Sequence, residues 1–204
     1  MVIGLDFDNT IVSYDELFHR VALEKSLIPE VLPKTKLAVR EYLRRAGRED
    51  AWTEMQGYVY GARMDDAQIY PGVVEFMHLA LQKGISLAIV SHKTKRPFLG
   101  APYDLHQAAR SWVMVNLVTP GLMEMRQVYF ELTKADKLKR VADIDCRYFV
   151  DDLPEILAAP EFPAKTVGIL FDPENHHADL STGARFSSWH DIAQHLQGQW
   201  KKRA

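Results

Sequence analysis

Asp6 and Asp8 stand two residues apart, just after the apolar run Val2-Ile3-Gly4-Leu5. In an extended segment such residues point to one side, so both carboxylates share a face while Phe7 turns to the other. Like charges so close repel unless a cation lies between them or one carboxyl keeps its proton. Asp151 and Asp152 follow a second apolar run, Arg147–Val150. Four carboxylates meeting at one edge need a counter-charge. Mg2+ suits them best, because it binds through one or two carboxylates, several waters and phosphate oxygens. No His or Cys set has zinc-like spacing, and the adjacent His176-His177 pair reads as exposed loop. A cation among acids also attracts a phosphate, whose other oxygens need donors. Thr10, Ser91 and a lysine can supply them. A carboxylate beside such a phosphoryl group is a competent nucleophile: an aspartyl-phosphate splits one hard displacement into two easier ones. A second carboxylate, protonated, can hand its proton to the leaving alcohol and then take one from water, and Asp8 is placed for that work.

Apolar strands must carry these groups to one edge. Val2–Leu5, Ile85–Val90, Arg147–Val150 and Thr166–Phe171 are apolar runs of strand length, and Gln127–Phe130 is a shorter candidate. Between them lie helical patterns. Val73, Phe76, Met77 and Leu81 form a stripe that Gly84 ends, and further helices are expected over Leu105–Asn116, Lys134–Ala142 and Ser188–Gln197. Strands alternating with helices predict an α/β fold with an open, mostly parallel sheet covered on both faces, a Rossmann-like three-layer sandwich. Such sheets bind ligands beyond the carboxyl ends of their strands. Asp6/Asp8/Thr10, Ser91, Asp151/Asp152 and Asp172 each follow an apolar run at that end. From about Tyr14 to Ile69 the pattern is helical instead, with stripes at Leu17/Val21, Leu37–Leu43 and Trp52/Met55/Val59. It predicts an insertion of some three helices.

These motifs, in their order, resemble those of the haloacid dehalogenase superfamily. Asp6-Phe7-Asp8-Asn9-Thr10 is similar to its first motif, Asp-x-Asp-x-Thr. Ser91 after Ile85–Val90 resembles the second, Lys134 at the head of TKADKLKRVAD the third, and Asp151-Asp152 in YFVDDLPEIL the fourth. The resemblance implies Asp6 as nucleophile and Asp8 as general acid/base, with the Asp8 main-chain carbonyl also on Mg2+. It implies Asp151 as a metal ligand with Asp152 supporting or ligating, so the expected metal set is Asp6, Asp8, Asp151 and Asp152. Thr10, Ser91 and Lys134 are the expected phosphate-binding groups. Lys137 competes for the lysine role, but Lys134 aligns with the family's helix-start position and Lys137 reads as a solvated helix lysine. The family's dehalogenases match this motif only at the first Asp, so Asp8 points to phosphate esters.

The resemblance further implies an α/β core over residues 1–13 and 70–204 and a helical cap over residues 14–69. A cap excludes water and suits a small phosphorylated substrate, with sugar phosphates the first class to try. His92 and Lys93 are candidates to touch substrate. Tyr58, Tyr60 and Arg63 read as structural or solvated, and Lys25, Lys34 and Lys36 as surface lysines rather than a Schiff-base group.

Composition bounds the alternatives. In 204 residues, 47% are hydrophobic, enough for a sizeable core, and the formal net charge is -2. With no long basic run beyond the terminal Lys201-Lys202-Arg203, a nucleic-acid partner is not expected. The single Cys146 excludes an internal disulfide and fits a reducing cytoplasm. No leader and no membrane-length apolar run stand out, so no membrane partner is expected. The same site could instead transfer phosphate to an acceptor hydroxyl, as a phosphotransferase or mutase, or merely bind a phosphorylated ligand. Substrate identity and oligomeric state stay open.

Overall fold

The structure, a computed structural model, describes residues 1–179 and 183–201; Lys202, Arg203 and the Lys201 side chain, the basic tail, lie outside the described residues. The chain begins with β1 (Val2–Leu5) and β2 (Val12–Ser13). Three helices follow: α1 (Asp15–Glu24), α2 (Lys36–Arg45) and α3 (Glu49–Gly61). Then come β3 (Gln68–Ile69), α4 (Val73–Gln82), β4 (Ser86–His92) and α5 (Leu105–Val113). The second half holds β5 (Val128–Glu131), α6 (Lys134–Asp143), β6 (Cys146–Asp151) and α7 (Pro154–Leu157). The last elements are β7 (Val167–Phe171), β8 (Ala184–Phe186) and α8 (Trp189–Lys201).

Six strands form one sheet in the order β5-β4-β1-β6-β7-β8, and every neighbouring pair is parallel. A parallel strand needs a crossover back to its start, so helices cover both faces and the middle strands are apolar throughout. β1 lies centrally, with Ile3 and Leu5 fully buried. Gly4 has a packing reason: a Cβ there would lie 2.6 Å from the Phe149 ring and 2.8 Å from Cys146 Sγ. Gly4→Val is expected to cost about 1–3 kcal/mol through overpacking, read as a lower denaturant midpoint at unchanged slope.

β2 and β3 pair antiparallel, Val12 with Ile69 and Ser13 with Gln68, and bring the two ends of the α1–α3 segment together. Its helices pack through Phe18, Val39, Leu43, Trp52, Met55 and Val59, all buried. The Thr35 side chain caps α2 by accepting from Ala38 N–H at 3.1 Å. α3 carries two glycines where the loop after β4 crosses it. A Cβ at Gly57 would meet Pro97 at 2.6 Å, and one at Gly61 would meet Tyr103.

The expected strands and helices are present, with shifted ends. β4 runs on through His92, α5 passes into a π-turn over Met114–Val118, and α8 reaches Lys201. β2, β3, β8 and α7 were not expected; at two to four residues they are too short for a period to register. Among the described residues no helix is long and apolar enough to cross a membrane.

Candidate active site

β1 delivers Asp6 to the carboxyl edge of the sheet, and Asp6 N–H continues the parallel ladder to Val150 O at 2.8 Å. Phe7 turns into the core, edge-on to Trp112 and Phe130. The chain then closes a tight turn in which Ile11 N–H and Val12 N–H both donate to Phe7 O. Asn9 has φ 58°, the left-handed region that asparagine tolerates better than most residues. The turn leaves Thr10 fully buried, with Oγ1 3.4 Å from Asp152 Oδ1.

The neighbouring strands bring the other groups alongside. β4 supplies Ser91, 1% exposed, and the residue after the strand is Lys93, 4% exposed. β6 ends at the fully buried Asp151, whose Oδ1 accepts from Leu153 N–H at 3.0 Å. α6 starts on a Thr133 cap and extends Lys137 inward; that side chain is 2% exposed. Its Nζ donates to Asp6 Oδ1 and to Asp151 Oδ2, each at 2.6 Å.

Asp6, Asp151 and Asp152 each offer a carboxylate oxygen within 4.8 Å of the others. Burial raises the Asp6 pKa; Lys137 opposes that, Asp8 adds to it, and the Ser91 hydroxyl lowers it. Burial likewise pushes Asp151 up to about 7 against the pull of Lys137. Asp152 is raised well above the ordinary range by burial and then by Asp6 and Asp151. One ammonium does not neutralise three carboxylates, two of them buried and Asp152 half-buried. An all-oxygen donor set with a residual negative charge fits a hard dication such as Mg2+, and the residues to hold it are Asp6, Asp151 and Asp152.

Asp8 is different. Its carboxylate turns to Lys93 Nζ, at 2.9 and 2.7 Å, and to the Tyr14 hydroxyl at 2.5 Å. Burial raises its pKa, but Lys93 and then Tyr14 outweigh that and hold it below the usual carboxylate range. With the carboxylate engaged there, the main-chain carbonyl is the Asp8 atom left for the metal, as expected of it.

Two expectations do change. Lys134 was expected at the phosphate, but its Nζ sits 3.6 Å from Glu155 with over half of each side chain exposed. Lys137 was expected in solvent and instead bridges Asp6 and Asp151. The reason is helical phase: Lys137, Leu138 and Val141 make up the buried face of α6, whereas Lys134 is on the first turn at the surface. Alternation along the strand separates His92 from Ser91 and Lys93. Its imidazole shares a hydrogen bond with Leu132 O at 3.1 Å, and burial lowers its pKa. In the helical segment, Tyr60 faces the site, with Lys93 Nζ 4.9 Å from its ring centroid. Arg63 bonds Glu24 and Asp66, and Tyr58 stacks with Lys25 and Tyr103.

Two contributions escaped sequence reading, Tyr14 on Asp8 and Lys36 beside the first motif, and a third, Lys137 on the acids, was named only as the rival of Lys134. Only Lys137 had a local signal, its i,i+4 spacing to Val141. Lys36 Nζ lies 3.2 Å from Asn9 Oδ1, at the inner end of a cleft of about 460 Å³ that α2, Asn9, Tyr70, Asp152 and His177 help to line.

No family model matches the chain, and no curated protein matches it. Solved structures do. A haloacid dehalogenase-superfamily hydrolase from Ehrlichia chaffeensis superposes with a TM-score of 0.59 at 13% identity, over 97% of this chain and 96% of that one. A predicted phosphoglycolate phosphatase from Haemophilus somnus gives 0.58 at 16% identity, over 96% and 97%. An L-2-haloacid dehalogenase gives 0.56 at 12% identity, over 96% and 98%. At these identities the likeness is one of fold.

Proposed function

We propose that this chain, which has the fold of the haloacid dehalogenase-like hydrolases, is a Mg2+-dependent phosphatase of small phosphate monoesters that works through an aspartyl-phosphate on Asp6. The single observation that carries the reading is the group of Asp6 and Asp151, both buried, with the half-buried Asp152, and Lys137 Nζ 2.6 Å from the first two. Such a group is costly to bury and is neutralised by a dication together with the phosphate that follows it. Mg2+ held by Asp6, Asp151 and Asp152 supplies positive charge that lets an anionic carboxylate approach an anionic ester.

The chain's own residues then divide the work. Lys137 fixes the Asp6 carboxylate, and Asp6 Oδ2 is the oxygen left to attack phosphorus. Thr10, Ser91 and Lys137 offer the hydroxyl and ammonium donors for the phosphoryl oxygens. The proton for the departing alkoxide comes through the ionised Asp8 from Lys93 Nζ or the Tyr14 hydroxyl, both hydrogen-bonded to it, and Asp8 then draws the proton from the water that cleaves the acyl phosphate and returns it to that donor. Lys93 and Tyr14 orient its carboxylate and carry donatable protons of their own. The helices over residues 14–69 serve as the cap that shuts bulk water out. Some proteins of this fold are dehalogenases. Halide displacement needs no proton donor, whereas Asp8 here is braced by two side chains.

The test is phosphate release from a panel of phosphate monoesters, with Mg2+ and with a chelator. Turnover is expected with Mg2+ and should fall to background on chelation. Mg2+ should also raise the melting temperature by relieving the three carboxylates, and Asp152→Asn should shrink that rise. A well-folded protein that releases no phosphate from any ester, or is indifferent to Mg2+, contradicts the reading.

A further inference from the structure

The cleft above the carboxylates says what kind of leaving group the site takes, an inference that rests on the phosphatase reading. Lys36 and Arg40 stand one turn apart on the same face of α2, and both line the cleft. Neither has a task at Asp6. Lys36 Nζ lies 3.2 Å from the neutral Asn9 Oδ1, and, against the cost of burial, the Tyr60 hydroxyl, Asp8 and Asp152 also stabilise its charge. Arg40 pairs with the adjacent Glu41 at 3.4 Å, where both side chains are more than a third exposed, and such a surface pair is weak. Arg40 Nε is shut off from solvent and has no hydrogen-bond partner among the described residues.

The acids on the cleft walls are engaged already, Asp152 with Thr10 Oγ1 and in the carboxylate group with Asp6 and Asp151. Asp15 Oδ1 accepts Lys36 N–H at 2.6 Å. Asp172 accepts from His176 N–H, His177 N–H and the Arg185 guanidinium. Glu174 lies 3.1 Å from the His176 ring. Tyr70, Phe171, Leu37 and Leu153 complete the lining. One wall thus offers a guanidinium with only a weak acid partner among the described residues and an ammonium whose acids, Asp8 and Asp152, are shared with Lys93 and the expected Mg2+, and a buried N–H without an acceptor is costly. An oxyanion satisfies it, and a planar guanidinium is the donor best shaped for one.

We propose that the substrate carries a second anionic group, a carboxylate or a second phosphate, on the leaving group and away from the ester that Asp6 attacks. Lys36 and Arg40 bind that group. The cleft is of the size that accepts a small metabolite, and its two cations sort phosphate esters by the charge at their far end.

Calorimetric titration of the Asp6→Asn protein tests this without turnover. The matched probes are 6-phosphogluconate against glucose 6-phosphate, and fructose 1,6-bisphosphate against fructose 6-phosphate. At least one doubly anionic probe should bind about tenfold or more tighter than its partner, and which pair discriminates tells carboxylate from phosphate. Adding Arg40→Gln or Lys36→Met should cut that ratio severalfold. Equal affinities within both pairs, binding by no probe, or a ratio that survives both substitutions overturns the proposal. Absence of phosphate release by the parent on every ester overturns the reaction instead, and leaves the discrimination in the cleft to stand or fall by its own titration.

Discussion

Asp6→Asn should lower Mg2+-dependent phosphate release from the best ester by about 10⁴-fold or more, with the fold intact. A nucleophile acts as a unit with the groups around it, and its removal strips away nearly all of the chemical step rather than a share of it. The amide has the shape of the carboxylate, so Phe7 and Thr10 keep their places. It also removes one of three clustered acids whose pKa values are raised by burial first and then by neighbouring carboxylates. Lys137 keeps Asp151 as a partner at 2.6 Å. The melting temperature should therefore stay near that of the parent while activity disappears. A variant that keeps more than a few per cent of the parent rate would remove Asp6 from the role of nucleophile.

The second large effect separates two lysines. Lys137→Met should cost about 3–5 kcal/mol of stability in the absence of Mg2+. It should also cost about 10²-fold or more in turnover with Mg2+ present. The loss is large because the ammonium is buried between two carboxylates, which raise its pKa against the opposing effect of burial. Without it, Asp6 and Asp151 face each other uncompensated, and Mg2+ should restore part of the lost stability. Lys134→Met, three residues away, breaks a pair at 3.6 Å between half-exposed side chains. It should shift stability by no more than about 1 kcal/mol. Urea unfolding with and without Mg2+, together with steady-state turnover, reads both variants. Equal damage from the two substitutions would return the motif-three role to Lys134.

Much of this site is legible in the sequence because its groups sit at the ends of apolar runs. Strand period and the parallel-sheet rule carry Asp6, Thr10, Ser91 and Asp151 to one edge without knowledge of any contact. Helix phase is harder. Lys134 sits at the head of α6, which attracts attention as a motif position, yet only Lys137 lies on the buried face. A lysine on an apolar stripe is the visible clue, and the ordinary preference of lysine for solvent obscures it. Lys93 is a middle case. Its spacing from Ser91 puts it on the site's side, but that it grips Asp8 depends on where the turn at Asn9 sends that carboxylate. Tyr14, Lys36 and Arg40 carry no local signal, because their roles arise from how the α1–α3 segment lies over the sheet. Gly57 and Gly61 look like weak points in a helix, and they are where the loop after β4 comes into contact. The same lesson holds for β8, whose three residues pair with β7 only because the sheet edge is available.

The most direct measurement is to trap the covalent intermediate. The protein is mixed with Mg2+ and its best ester, quenched in acid during turnover and reduced with borohydride, which converts an acyl phosphate to the alcohol. Peptide mass analysis then reads position 6. The expected result is homoserine in place of Asp6, only when ester and Mg2+ are both present, and none at Asp8, Asp151 or Asp152. Phosphate release with Asp6 unmodified throughout, or with the reduced residue at another of these positions, would contradict nucleophilic attack by Asp6.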